Sequence, residues 1–184
     1  IRQYGAVNSG LIDENNPASA IIDDLKVVGL SRQAMPECYY NMAVFLSMLG
    51  RIPESMEAYE TLIKRYPGYL PGLFNLANTF GQTGRIGDAI ALYDRAQRAA
   101  PQRVEILNNQ AAVYAALDQV EKARHRLEEA DAIDSNFNEI RFNKILLSLR
   151  ENRIEDAKND LSTLRSSSVT SALVKIADGL VKMT

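Results

Sequence analysis

Apolar positions along the middle of the chain recur at helical spacing and then break in a regular way. Asn41, Ala43 and Leu46, and their counterparts Asn75, Ala77 and Phe80, lie on segments of about fourteen residues with the period of an amphipathic helix. A column of Gly50, Gly84, Asp118 and Asn152 follows, the residue types that tolerate a left-handed backbone where a helix stops. Beyond it, Ile52/Ile86/Val120/Ile154, Ser55/Ala89/Ala123/Ala157 and Tyr59/Tyr93/Leu127/Leu161 form the apolar stripe of a second helix. Pro67 and Pro101 end that helix in two copies, and Ser135 replaces proline in the third. The pattern predicts four helical hairpins of 34-residue period, over 36–69, 70–103, 104–137 and 138–165. Such an array buries the apolar face of each unit against its neighbours.

With these columns in place, the chain resembles the tetratricopeptide repeat family. The second copy carries the resemblance most closely: Leu73, Leu76, Ala77, Phe80, Gly84, Ala89, Ile90, Tyr93, Ala96 and Pro101 stand where the family has large, large, small, aromatic, Gly, Ala, aliphatic, aromatic, Ala and Pro. The first copy departs at Ser55, the third at Gln110 and Ser135. The fourth departs most, with Arg141, Lys144, Ile145 and Ser148 on its first helix. The resemblance covers about seventy per cent of the chain. It implies an all-α, right-handed superhelical solenoid of antiparallel helix pairs, about four repeats with flanking helices.

The ends differ from the middle. In residues 1–35, Asn16-Pro17 is a helix start, and Ile21, Ile22, Leu25 and Val28 give one apolar face before Gly29, which reads as the second helix of a degenerate repeat. Residues 166–184 open on a serine-rich linker, with Arg165 before it as a candidate modification context. They continue as a helix with Val169, Ala172, Leu173, Ile176, Ala177, Leu180 and Val181 on one side. The expected role of this helix is a cap on the array. As the first helix of a further repeat it would instead offer an apolar face to another domain or a second copy of the chain.

Composition narrows the chemistry. A formal net charge of -2 gives no electrostatic reason to expect nucleic acid or an anionic membrane, and no stretch is long and apolar enough to span a bilayer. The lone Cys38 has no cysteine partner and lies far in sequence from the single histidine, His125, which sits between Arg124 and Arg126 on a solvated face. Gly81, Gly84 and Gly87 mimic a phosphate loop, but no strand precedes them and no lysine follows in the required place. No cofactor, metal or catalytic group is expected. The sequence opens at Ile1 instead of Met, which reads as an excised or processed piece and leaves both cytoplasm and periplasm open.

The resemblance implies a concave face lined by the first helix of each copy. Its offsets fall on Tyr40, Asn41, Val44 and Ser47; on Phe74, Asn75, Asn78 and Gln82; on Asn108, Asn109 and Ala112; and on Phe142, Asn143, Leu146 and Arg150. This lining is rich in amides and aromatics and poor in charge, suiting a neutral or mildly basic extended peptide. The cations of a chaperone-tail clamp are missing, with Tyr40 or Phe74 at the lysine offset, and there is no basic track for RNA. The ladder Asn41, Asn75, Asn109 and Asn143 could grip a peptide backbone through its carboxamides, or could instead join adjacent repeats. The expected function is a non-catalytic scaffold for a partner protein or peptide, with similarity to bacterial cell-envelope and pilus-assembly repeat proteins. The alternative is a regulatory or substrate-docking segment of a larger enzyme.

Overall fold

The computed structural model describes residues 35–166 and 171–183. The expected amino-terminal helix and Val169 lie outside these residues. Nine helices are described: α1 (Pro36–Met48), α2 (Ile52–Arg65), α3 (Leu70–Gln82), α4 (Ile86–Ala99), α5 (Val104–Ala116), α6 (Val120–Ile133), α7 (Asn138–Arg150), α8 (Ile154–Ser166) and α9 (Ser171–Lys182). No strand occurs among the described residues. The chain divides after Thr83 into two compact units, the first holding α1–α3 and the second α4–α9.

The turn column behaves as the residue types require. Gly50, Gly84, Asp118 and Asn152 have φ of 74°, 81°, 60° and 57°, the left-handed conformation that reverses the chain. Around Gly50, Asp118 and Asn152 the same bond closes the helix end: Arg51 N–H to Leu46 O at 2.9 Å, Gln119 N–H to Tyr114 O at 2.9 Å, and Arg153 N–H to Ser148 O at 2.8 Å. These are the long bonds of a Schellman end, and they satisfy carbonyls the helix leaves unpaired.

Helix starts use a device the sequence pattern did not reveal. At none of α1–α7 does the residue just before the helix make a side-chain cap bond. Acidic residues sit in the first turn of six of these seven, all but α3, where they complement the helix dipole. The arginine immediately before three second helices pairs with the acid three residues on: Arg51 with Glu54, Arg85 with Asp88 at 2.7 Å, and Arg153 with Asp156 at 3.1 Å.

In the first unit, Tyr39, Ala43 and Leu46 of α1, Ala58, Tyr59 and Leu62 of α2, and Leu73, Leu76, Ala77 and Phe80 of α3 are buried. Ser55, at the small-residue column, is fully buried and donates its Oγ–H to Ala43 O at 2.7 Å, so its polarity is absorbed at the α1–α2 contact. Gly72 is buried on α3, where a Cβ would lie 2.7 Å from Leu62 Cδ2.

The second unit has two apolar clusters. One joins Val104, Leu107, Ala111 and Tyr114 of α5, Ala123, Leu127 and Ala130 of α6, and Ile140 and Leu147 of α7. The other joins Ile145, Ala157, Leu161, Leu164 and Ala177. The departures of the fourth copy are accommodated by reach. Lys144 Nζ lies 2.5 Å from Asp131 Oδ2 on α6, Arg141 donates to Ser135 O at 2.9 Å, and Ile145 and Ser148 are buried. Where Ser135 replaces proline, Asn136 N–H bonds Asp134 Oδ1 at 2.9 Å, and this local turn ends α6 instead.

Helix α9 packs against the second cluster, but on a rotated face. Leu173, Val174, Ala177 and Val181 turn inward, whereas Ala172 and Ile176, expected on the same stripe, are exposed. The apolar arc of this helix is wider than its contact area, and spacing alone does not choose which part is buried. Among the described residues no helix is long and apolar enough to cross a membrane.

Candidate functional site

In the first unit the expected surface is carried by α1 and α3. Asn41 and Gln82 are exposed, and Tyr40, Val44, Phe74, Asn75 and Asn78 are half-buried. Asn75 is fixed from behind: its Nδ2 donates to Tyr40 Oη at 3.0 Å and to Tyr59 Oη at 3.3 Å. The Tyr40 ring sits beside two others, with centroids 6.2 Å from Tyr59 and 5.9 Å from Tyr69 and planes inclined by 59° and 61°. Burial pushes the Tyr59 hydroxyl up to about 12, opposed by the Asn75 bond and helped by nearby Tyr40. The carboxamide therefore solves a packing problem, the satisfaction of a phenol placed in the core.

The same solution recurs in the second unit sixteen residues apart. Asn109 hydrogen-bonds Tyr93, the counterpart of Tyr59, whose hydroxyl is raised by burial and lowered in part by that bond. Asn143 is also sixteen residues beyond its counterpart, but there the chain has Leu127, which offers no oxygen. Asn143 Nδ2 donates instead to Asn108 Oδ1 at 2.8 Å, with the 35-residue separation of Asn75 and Tyr40.

This arrangement corrects the expected lining in the second unit. Asn108 is buried and serves as the acceptor for Asn143, so it does not line an exposed face. Arg150, expected as a groove cation, is exposed, and its guanidinium bonds Ala115 O and lies 3.0 Å from Asp118 of the preceding copy. Phe142 packs against the second apolar cluster. In the second unit Asn109 and Asn143 join one repeat to the next, while Ala112, Leu146 and Arg150 are exposed. The signal was in the sequence, in the identity of the residue sixteen positions before each asparagine.

A cleft of about 330 Å³ lies over α6, α7 and α8, lined by Arg124, Lys144, Arg153, Asp156 and Asp160 among others. Of its charges, Arg124 pairs with Glu151, Arg153 with Asp156, Lys144 with Asp131, and Asp160 with Arg141 at 4.0 Å. Burial, foremost, raises the Asp160 carboxyl above its usual range, against the pull of Lys144 and Arg141. His125 is exposed beside Glu129, Cys38 is half-buried, and no group of metal-ligating side chains occurs among the described residues.

The tetratricopeptide repeat profile matches residues 40–104 and 74–137, together more than half of the chain. The chain belongs to the tetratricopeptide repeat family. No curated protein matches it. Among solved structures, this tetratricopeptide repeat chain is similar to TTC0263, a thermophilic TPR protein of Thermus thermophilus. The TM-score is 0.73 at 21% identity, over 91% of each chain. It is similar to MamA from Desulfovibrio magneticus RS-1, with a TM-score of 0.74 at 16% identity, over 85% of this chain and 90% of that one. It is also similar to YrrB, described as a TPR protein with an unusual peptide-binding site, with a TM-score of 0.61 at 16% identity, over 91% and 83%. At these identities the likeness is one of fold, the all-α helical-repeat solenoid. Family and fold together support a protein-interaction scaffold with protein or peptide partners.

Proposed function

We propose that this tetratricopeptide repeat chain is a non-catalytic scaffold that holds an extended peptide on the first-helix face of its first unit, formed by α1 and α3. The observation behind this reading is the contrast in side-chain use. Tyr40, Asn41, Val44, Phe74, Asn78 and Gln82 keep at least part of their surface exposed on α1 and α3, with Tyr40 anchored by Asn75, whereas in the second unit Asn108 is buried and bonds Asn143. Rigid, partly exposed aromatics and amides bind a peptide at low ordering cost. YrrB, similar in fold, supports a peptide as the ligand class through its description as peptide-binding. A bacterial envelope or pilus-assembly setting is the biological context we favour on family resemblance, and cell fractionation of the native host tests it.

The groove reading is tested by selecting peptides on the native chain from a displayed library and measuring their affinity for Val44→Glu and for Glu57→Ala. Glu57 is exposed on α2. The selected peptides should lose at least about tenfold in affinity on Val44→Glu, the cost of leaving a carboxylate against an apolar contact. Glu57→Ala should bind unchanged. Equal binding by Val44→Glu, with its helicity intact, would move the site elsewhere. Asn75→Ala is a poor probe, because it strips the partner from the buried Tyr59 hydroxyl.

A further inference from the structure

Tyrosine is concentrated at one place in the first unit. Tyr39, Tyr40, Tyr59, Tyr66 and Tyr69, five of the eight in the chain, fall within thirty-one residues. Tyr40 and Tyr69 meet edge to face at 5.9 Å, forming a partly exposed corner, not a closed stack. The Tyr40 hydroxyl is pinned by Asn75, so this corner does not depend on a ligand for its shape. Glu37, exposed in the first turn of α1, stands three residues before Tyr40 and therefore on the same side of the helix. Its charge is felt at Tyr69, whose hydroxyl is raised by burial first and by Glu37 and Tyr40 next. Basic residues of α1–α3 are few: Arg51 is paired with Glu54, Arg65 stacks over Tyr39 at 5.2 Å, and Lys64 is exposed at the end of α2.

We infer that the Tyr40–Tyr69 corner beside Glu37 is a subsite for an arginine side chain of the bound peptide. The inference rests on the groove reading above and adds the charge of the ligand to it. A guanidinium is planar and weakly hydrated, so it lies flat on a tyrosine face while turning its N–H fork to a carboxylate. An ammonium can use the same charge but not the same stacking. The amino-terminal ends of α1 and α3 oppose a cation, each with about half a positive charge. The Glu37 carboxylate and the two partly exposed rings are the groups set against this partial charge.

The chain has no tryptophan, so its emission comes from its eight tyrosines together, and ring proton shifts assign any change to this corner. The native protein is titrated at low ionic strength with acetyl-Gly-Arg-Gly-amide, and with the same tripeptide carrying lysine, citrulline or glutamate. Ring proton shifts of Tyr40 and Tyr69 are followed in parallel. Arginine should bind more tightly than lysine, and lysine more tightly than citrulline. Glu37→Gln and Tyr69→Leu should each weaken the arginine peptide about threefold to tenfold. Neither position is buried, and circular dichroism checks that the variants fold. Citrulline binding as well as arginine, affinity indifferent to Glu37→Gln, or preference for the glutamate peptide would each overturn the inference. The last outcome would assign the site to the helix ends. If library peptides depend on Val44 but carry no basic residue, the groove stands and this subsite falls. If the arginine shifts persist while Val44→Glu changes nothing, the subsite stands without the groove.

Discussion

Gly72 gives a sharp test of how closely α2 and α3 approach. A methyl group placed there would lie 2.7 Å from Leu62 Cδ2 and 3.2 Å from Leu62 Cγ, against a comfortable carbon separation of about 3.5–4.0 Å. Leu62 is fully buried, so its branch has no open space to enter. Relieving a clash of nearly an ångström in a packed core costs about 1–3 kcal/mol. Alanine returns about 0.5–1 kcal/mol of helix propensity, less in a first turn. Gly72→Ala should therefore destabilise by about 1–2 kcal/mol, read as a lower urea midpoint by circular dichroism and tyrosine emission. A double-mutant cycle identifies the cause. Leu62→Ala alone should cost about 2–5 kcal/mol through the cavity it opens. In that background Gly72→Ala should become stabilising by about 0.5–1 kcal/mol, a coupling of about 1.5–3 kcal/mol. A neutral or stabilising single mutant, or strict additivity in the cycle, would show that the two helices do not meet at this point.

Gly84→Val should cost about 1–2 kcal/mol in denaturant melts, because φ of 81° excludes a branched side chain although the surrounding space is open, while Asn152→Gly should be neutral or slightly stabilising. Gln110 is fully buried; its Nε2 donates to Asp94 Oδ1 at 2.8 Å while Oε1 has no partner. Gln110→Leu should stabilise by about 1 kcal/mol in the same assay, and a loss of that size would mean that the Asp94 bond outweighs the stranded oxygen. Tyr59 predicts an alkaline limit. Its folded value of about 12 lies above the ordinary 10.0, so its contribution is present in full below pH 10 and lost as pH rises from 10 towards 12. Urea midpoints should fall across that window, less steeply in Tyr59→Phe. Titration of Tyr59 near the ordinary value of about 10, followed as the tyrosinate absorbance lost in Tyr59→Phe, would contradict this.

Much of the fold was legible because its signals are local. A left-handed turn residue, a proline after a helix and an apolar period of about 3.6 each act within a few positions, so Gly50, Gly84, Asp118 and Asn152 could be read directly as reversals. The site was less legible because the direction of a carboxamide is set by what stands opposite. Asn75 and Asn109 turn to Tyr59 and Tyr93, and Asn143 turns to Asn108 because Leu127 has nothing to offer. Arg150 depends on context in the same way: it is exposed at its groove offset, and Ala115 O and Asp118 of the preceding copy hold its guanidinium there. On α9 both Ile176 and Val174 fit an apolar stripe, and only the neighbour's surface decides between them.

The bonds Tyr59–Asn75, Tyr93–Asn109 and Asn108–Asn143 all cross from one 34-residue copy to the next. A copy excised at its sequence boundaries would leave a buried phenol behind or bring an orphaned amide with it. At the first two seams, a cut placed inside a hairpin spares these bonds, and a cut placed between hairpins breaks them. For anyone transplanting pieces of the first two seams, a cassette from the second helix of one copy through the first helix of the next keeps Tyr59 with Asn75 and Tyr93 with Asn109, whereas the Asn108–Asn143 seam needs the first helices of both copies.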